Sequence, residues 1–126
     1  MNTENKAVLI VEDEVDLREA VTTALTQEGF SVLAASDGEA GLAMALKEKP
    51  SLILLDITMP KMDGLQVLTA LRQDAWGKNV YVIVMTANDD LGKVAEVIEA
   101  GGNEYVVKTD ISLGGIVEKV KGKLGA

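Results

Sequence analysis

Runs of apolar residues and segments with helical spacing alternate five times along this chain. Residues 7–11, 30–35, 51–55, 80–85 and 104–107 read as strands, and the third is almost continuously apolar, as expected of a strand covered on both faces. After the first strand, Leu17, Val21, Ala24 and Leu25 recur at helical spacing, and Gly29 is placed to stop that helix. Ser36 and Glu39 have the spacing of a capping box, with Ser36 as the cap of a second helix carrying Leu42, Ala45 and Leu46. Pro50 lies just beyond its end. Pro60 marks the loop after the third strand. Asp63 and Gly64 open a third helix with Leu65, Leu68 and Leu71 turned inward. A fourth helix begins near Asp89 or Asp90, uses Val94, Val97 and Ile98, and is ended by Gly101 and Gly102. The last helix spans about 111–123.

Five βα units in series imply a parallel sheet with helices on both faces. The expected architecture is a flavodoxin-like, doubly wound (βα)5 fold with strand order 2-1-3-4-5, as one domain over residues 1–126. In that order the switch point lies between strands 1 and 3, and ligands bind there outside the strand C-termini. Four of the five strands run into a reactive side chain at that edge. Strand 1 meets Glu12 and Asp13, strand 3 meets Asp56, strand 4 meets Thr86 and strand 5 meets Lys108. Strand 2 ends in Ala34 and Ala35 and contributes nothing, which fits its place away from the switch point.

Composition narrows the chemistry. The chain has 126 residues, no cysteine and no histidine, so thiolate metal sites, imidazole bases and a phosphohistidine of its own are excluded. A net charge of −8 without a basic patch argues against direct nucleic-acid binding. The first six residues are polar and no apolar run could span a bilayer, so a soluble cytoplasmic protein is expected.

Three carboxylates, a hydroxyl and an ammonium around one crevice suit Mg²⁺ and a phosphoryl group. Magnesium takes oxygen ligands and keeps several waters. Asp13 and Asp56 can bind it directly, Glu12 directly or through water, and the Thr58 carbonyl can add a ligand. Asp56 is the candidate nucleophile, since carboxylates form aspartyl phosphates. Lys108 and Thr86 would contact the phosphoryl oxygens. Taken singly, each residue has a plainer reading. An Asp after a strand is most often a turn or cap residue, which is the preferred reading for Asp63 and Asp90, and a lone Lys is usually solvated. The coincidence of five positions on one edge carries the functional reading.

The segments Val8 through Glu14, Leu54 through Gly64, Val84 through Ala87, and Ala100 through Tyr105 to Lys108 resemble the receiver domains of response regulators, the CheY-like family of two-component signalling. The resemblance covers essentially the whole chain. It implies that Asp56 accepts phosphoryl from a histidine kinase or a histidine phosphotransfer protein, with Glu12, Asp13, Asp56 and the Thr58 carbonyl around Mg²⁺. It implies that Lys108 contacts the phosphoryl group, and that Thr86 moves toward it while Tyr105 turns inward. Thr58 and Asn88 would tune hydrolysis of the acyl phosphate. The face of helix 4, strand 5 and helix 5 would then control binding of a downstream target, as a monomer or a weak phosphorylation-dependent dimer. The chain would catalyse only its own phosphorylation and slow dephosphorylation.

Three features depart from the family pattern. Glu12 stands where Asp is commoner, a mild change, since its longer arm can still reach a metal-bound water. Thr109 follows Lys108 where the family has a proline with a cis bond. A cis bond here would cost about 2.5–4 kcal/mol, so a trans bond and a re-routed loop are expected. Gly92, Gly101, Gly102, Gly114 and Gly115 are concentrated on the output face; the plain reading is that some are helix caps, Gly101 among them, and the sharper one is that helix 4 and the start of helix 5 are loosely held. Among functions, a stand-alone regulator leads, because the last helix runs to Leu124 without a following linker. The alternatives are a receiver from a longer regulator with a DNA-binding or enzymatic output, and a phosphorylation-independent interaction module. A hydrolase is disfavoured because Thr58 stands where such enzymes place a second Asp. An FMN-binding flavodoxin is disfavoured by the acidic loop after strand 1.

Overall fold

The computed structural model describes residues 6–57, 59, 62–87 and 91–125. Five parallel strands form one sheet in the order β2-β1-β3-β4-β5. They are β1 (Ala7–Val11), β2 (Ser31–Ala35), β3 (Leu52–Asp56), β4 (Tyr81–Thr86) and β5 (Glu104–Val107), and they alternate with α1 (Val15–Gln27), α2 (Gly38–Glu48), α3 (Gly64–Arg72), α4 (Leu91–Glu99) and α5 (Leu113–Leu124).

Strand periodicity divides the apolar residues into two layers. Val8, Ile10, Leu52, Leu54, Ile83 and Met85 face α1 and α5, where Val21, Leu25, Ile116 and Val120 meet them. Their neighbours Leu9, Val11, Ile53, Leu55, Val82 and Val84 face α2, α3 and α4, against Ala45, Leu68, Leu71 and Val97. β1 and β3 are central and almost wholly buried, which is why their sequences are apolar on both faces.

Helix ends follow local chemistry. At the end of α1 the Gly29 N–H bonds the Thr26 carbonyl and the Phe30 N–H bonds that of Leu25, a Schellman closure with Gly29 at φ +98°. Phe30 thus belongs to the cap, and β2 begins one residue later than the sequence suggests. Gly101 and Gly102 close α4 in the same way, through Ile98 and Val97, with Gly101 at φ +116°. The capping box expected on Ser36 is not formed. Asp37 is the N-cap of α2, in extended conformation, and accepts from the Ala40 N–H at 2.8 Å. A carboxylate one residue on reaches the third helical N–H, which also favours it at the positive end of the helix dipole. Asp63 caps α3 as expected, and Gln66 completes a reciprocal box. α5 starts at Leu113 because Ser112 caps it. Ile98, expected to face inward, is 40% exposed on α4, whereas Val94 and Val97 are buried. The expected start of α4 at Asp89 or Asp90, and the loop at Pro60, lie outside the described residues.

Candidate functional site

The ladders of β1, β3 and β5 each continue one step past the strand's end, and this continuation sets the site. The Glu12 N–H bonds the Ala35 carbonyl at 3.0 Å, the Ile57 N–H that of Met85 at 3.1 Å, and the Lys108 N–H that of Thr86 at 2.8 Å. Glu12, Asp56 and Lys108 are therefore held with strand-like precision rather than on loose loops. Asp56 follows Leu52 and Leu54 in alternation, so its side chain lies on the α1/α5 side of the sheet.

Glu12, Asp13 and Asp56 each offer an oxygen within 4.8 Å of the others. Glu12 and Asp56 are buried, and Asp13 is exposed at the rim. Lys108 Nζ lies 2.8 Å from Glu12 Oε1 and 3.2 Å from Asp56 Oδ2. Its stem borders a small apolar cavity between α1 and α5, beside Leu17, Met85, Val106 and Ile116. The stem is buried against carbon while the ammonium reaches the carboxylates.

Burial, the two neighbouring carboxylates and Lys108 set the electrostatics of the pocket. Burial pushes the Glu12 carboxyl above the usual carboxylate range, opposed by Lys108 and the Glu14 N–H and assisted by the charge of Asp56. Burial pulls Lys108 down, but the Glu12 and Asp56 carboxylates together carry it above an ordinary lysine. Glu12 Oε2 accepts from the Glu14 N–H at 3.0 Å. Oε1 is buried, and its near neighbour is the Lys108 ammonium at 2.8 Å. Three carboxylates that each offer an oxygen within 4.8 Å of the others, two of them buried and only one lysine between them, fit a hard divalent cation.

Thr86 is buried at the C-terminal end of β4, next to β3 in the sheet. Tyr105 stands on the outermost strand and is 41% exposed. Thr58 and Asn88, expected near the site, lie outside the described residues. No cis peptide occurs among the described residues, so Lys108–Thr109 is trans as expected. The chain turns at once there, with the Asp110 N–H bonded to the Val107 carbonyl at 2.9 Å. One residue at the site had no signal in the sequence. Arg18, on the first turn of α1, donates from Nη1 to the Glu12 carbonyl at 2.8 Å. A contact to a main-chain carbonyl six residues earlier leaves no mark in residue type or spacing.

The architecture is a doubly wound parallel sheet with an acidic, lysine-braced pocket at its β1/β3 switch point. Residues 8–121 match the response regulator receiver domain family, and the chain belongs to it. It is 38% identical over 117 residues to the transcriptional regulatory protein HprR of Escherichia coli K12, covering 93% of this chain and 51% of that protein. It is 40% identical over 111 residues to the probable transcriptional regulator ycf27 of Porphyra purpurea, covering 86% and 43%. Among solved structures it is similar to a chain of the CheX–CheY–BeF3–Mg²⁺ complex of Borrelia burgdorferi. That match has a TM-score of 0.83 and 30% identity, and covers 93% of this chain and 87% of that one. The chain spans about half the length of the curated relatives it matches. The fold is that of CheY-like receivers of two-component systems, which is not a known catalytic enzyme family. Receivers as a class bind Mg²⁺ through acidic residues and interact with histidine kinases and downstream targets. No helix among the described residues is long and apolar enough to cross a membrane.

Proposed function

We propose that this chain is a single cytoplasmic receiver domain whose Asp56 is phosphorylated by a histidine kinase or histidine phosphotransfer protein. The observation that carries the reading is the convergence of Glu12, Asp13, Asp56 and Lys108 at one sheet edge. Glu12, Asp13 and Asp56, with the Thr58 carbonyl, would hold Mg²⁺. The ion supplies charge neutralisation of the phosphoryl oxygens. Asp56 Oδ forms the new bond to phosphorus as the donor's phosphorus–nitrogen bond breaks. Burial strips water from this carboxylate, and Lys108 stays close enough to follow the charge from carboxylate to phosphoryl oxygen. Asp13 at the exposed rim marks the side from which a donor approaches.

Phosphorylation replaces one charge by about −1.5 to −2 and adds three acceptors. Thr86 would donate to that group, and Tyr105 would turn inward, shifting a two-state equilibrium on the face of α4, β5 and α5 toward target binding. Thr58 and Asn88 would tune hydrolysis. The chain's own chemistry would be limited to gaining and losing this phosphoryl group, with no nucleic acid or membrane bound directly.

A second reading has a specific observation in its favour. The curated relatives are about twice as long and carry the names of transcriptional regulators. On that reading the receiver controls an output domain in the same chain.

Incubation with acetyl phosphate and Mg²⁺, followed by intact-mass measurement, tests the shared core of both. One phosphoryl group is expected on the wild type with Mg²⁺, and none on Asp56→Asn or after chelation. Labelling of another carboxylate, or no labelling, would overturn the assignment.

A further inference from the structure

We infer that Arg18 is a positioning residue for the acidic cluster: by holding the Glu12 carbonyl it fixes the turn that carries Glu12 and Asp13, and thereby sets the pocket's affinity for a divalent cation. The inference rests on the metal reading above and adds to it a residue that is not itself a ligand.

The β1–α1 turn differs from the other helix starts among the described residues. α2, α3 and α5 begin with side-chain caps from Asp37, Asp63 and Ser112. The N-cap of α1 is Glu14, whose side chain makes no capping bond. Three other hydrogen bonds hold this turn. The Glu12 N–H reaches Ala35 across to β2 at 3.0 Å. The Glu14 N–H reaches Glu12 Oε2 at 3.0 Å, and Arg18 Nη1 reaches the Glu12 carbonyl at 2.8 Å. The Glu14 bond draws on a carboxylate that a cation would also claim. The Arg18 bond acts on the main chain and is undisturbed by whatever Glu12's carboxylate binds.

The plain alternative is that Arg18 is a surface cation among Asp13, Glu14, Asp16 and Glu19. The geometry speaks against it. Arg18 is half-buried, none of the ion pairs among the described residues uses it, and its guanidinium goes to the carbonyl. Charge-assisted bonds of this kind are among the stronger ones available to a side chain. The Arg18 carbonyl in turn accepts from Thr22 Oγ1 at 2.7 Å, so the donor stands on an ordered turn of helix.

The two readings predict opposite signs. Loss of a mere positive charge beside carboxylates would tighten cation binding, and the effect would fade in molar salt, where the screening length is about 3 Å. Loss of a positioning bond weakens binding, by about tenfold on the scale typical of groups that orient metal ligands, and the ratio persists in high salt. The experiment is Mg²⁺ titration by calorimetry on the wild type, Arg18→Met, Arg18→Lys and the charge control Glu19→Gln, at low and high salt. Amide exchange at Glu12 and Glu14 is followed without metal.

The expected result is about tenfold weaker Mg²⁺ binding by Arg18→Met at both salt concentrations, with faster metal-free exchange at Glu12 and Glu14. Arg18→Lys, which keeps the charge but not the planar fork, falls between, and it answers the same question if Arg18→Met folds poorly. Equal or tighter binding by Arg18→Met, with exchange unchanged, overturns the positioning role and leaves the metal reading standing. A wild type that takes up no Mg²⁺ overturns the metal reading, and this inference with it.

Discussion

Lys108 shows how much one side chain does in this pocket. It balances two buried carboxylates, at 2.8 and 3.2 Å, and is itself held above an ordinary lysine pKa by them, against the pull of burial. Removing one partner of a buried cluster leaves charge without compensation, a loss of about 3–5 kcal/mol where no relief exists. Here Glu12 can take up a proton, since burial already pushes it that way. Lys108→Met is therefore expected to lower metal-free stability by less, about 2 kcal/mol. The same change should tighten Mg²⁺ binding, because the cation no longer competes with an ammonium for Glu12. Urea unfolding with chelator, and then across a Mg²⁺ series, reads both effects; equal stability without metal would show that the ion pair contributes nothing. That Glu12, Asp13, Asp56 and Lys108 come together was legible in the sequence because they cluster at the ends of apolar runs. Their balance was not. The sequence aims Lys108 at a phosphoryl group, whereas in this state its nearer partner is Glu12, a consequence of three-dimensional crowding that no spacing encodes.

At the level of elements, the alternation of strands and helices was readable almost throughout, and the misreadings cluster at ends. Ser36 lost the cap to Asp37, and Phe30 went to the α1 closure, because caps are decided by one or two hydrogen bonds. The α3 terminus hid a further feature. Arg72 donates to the carbonyls of Gly77, Val80 and Gly101 and to Asn103 Oδ1, tying α3 to both neighbouring loops. In the sequence Gly101 and Gly102 end α4, while the glycines of this face also suggested loosely held helices; the structure gives Gly101, Gly102 and Gly115 geometric reasons. Gly101 occupies the left-handed region, and a Cβ on it would lie 2.7 Å from Arg72 Nε. A Cβ on Gly102 would press on Val84 and Val97 at 3.1 Å, and one on Gly115 on Ile111 at 2.7 Å. Gly122, inside α5, has nothing within 4 Å. Gly122→Ala should thus stabilise the protein by about 0.8–1 kcal/mol, while Gly101→Ala should destabilise it by at least about 1 kcal/mol. Denaturant midpoints at constant m-value decide it; a stabilising Gly101→Ala would remove the argument for the α4 closure.

Across the whole molecule the two faces of the sheet carry different duties. Asp56 lies on the α1/α5 side with Lys108 beside it, while Val82 and Val84, in alternation with Thr86 on β4, belong to the α2/α3/α4 layer. Thr86 pairs in register with Val107, and Val84 with Tyr105, so β4 and β5 run side by side from the pocket to the exposed tyrosine. On the proposed function, a change of charge at Asp56 would reach Tyr105 through these two adjacent strands, without passing through α2 or the far side of α1. The closely packed interior favours a discrete rearrangement there over a graded one. Phosphorylation, or a stable mimic of it, is therefore expected to change amide exchange in α4 and β5 and to bury Tyr105, with α2 and β2 nearly unaltered. Thr86→Ala should accept the phosphoryl group on Asp56 yet leave α4 and β5 exchange as in the unmodified protein. Changes spread evenly over all five helices, or an equal response in Thr86→Ala, would mean that the signal leaves the pocket by some route other than the β4–β5 edge.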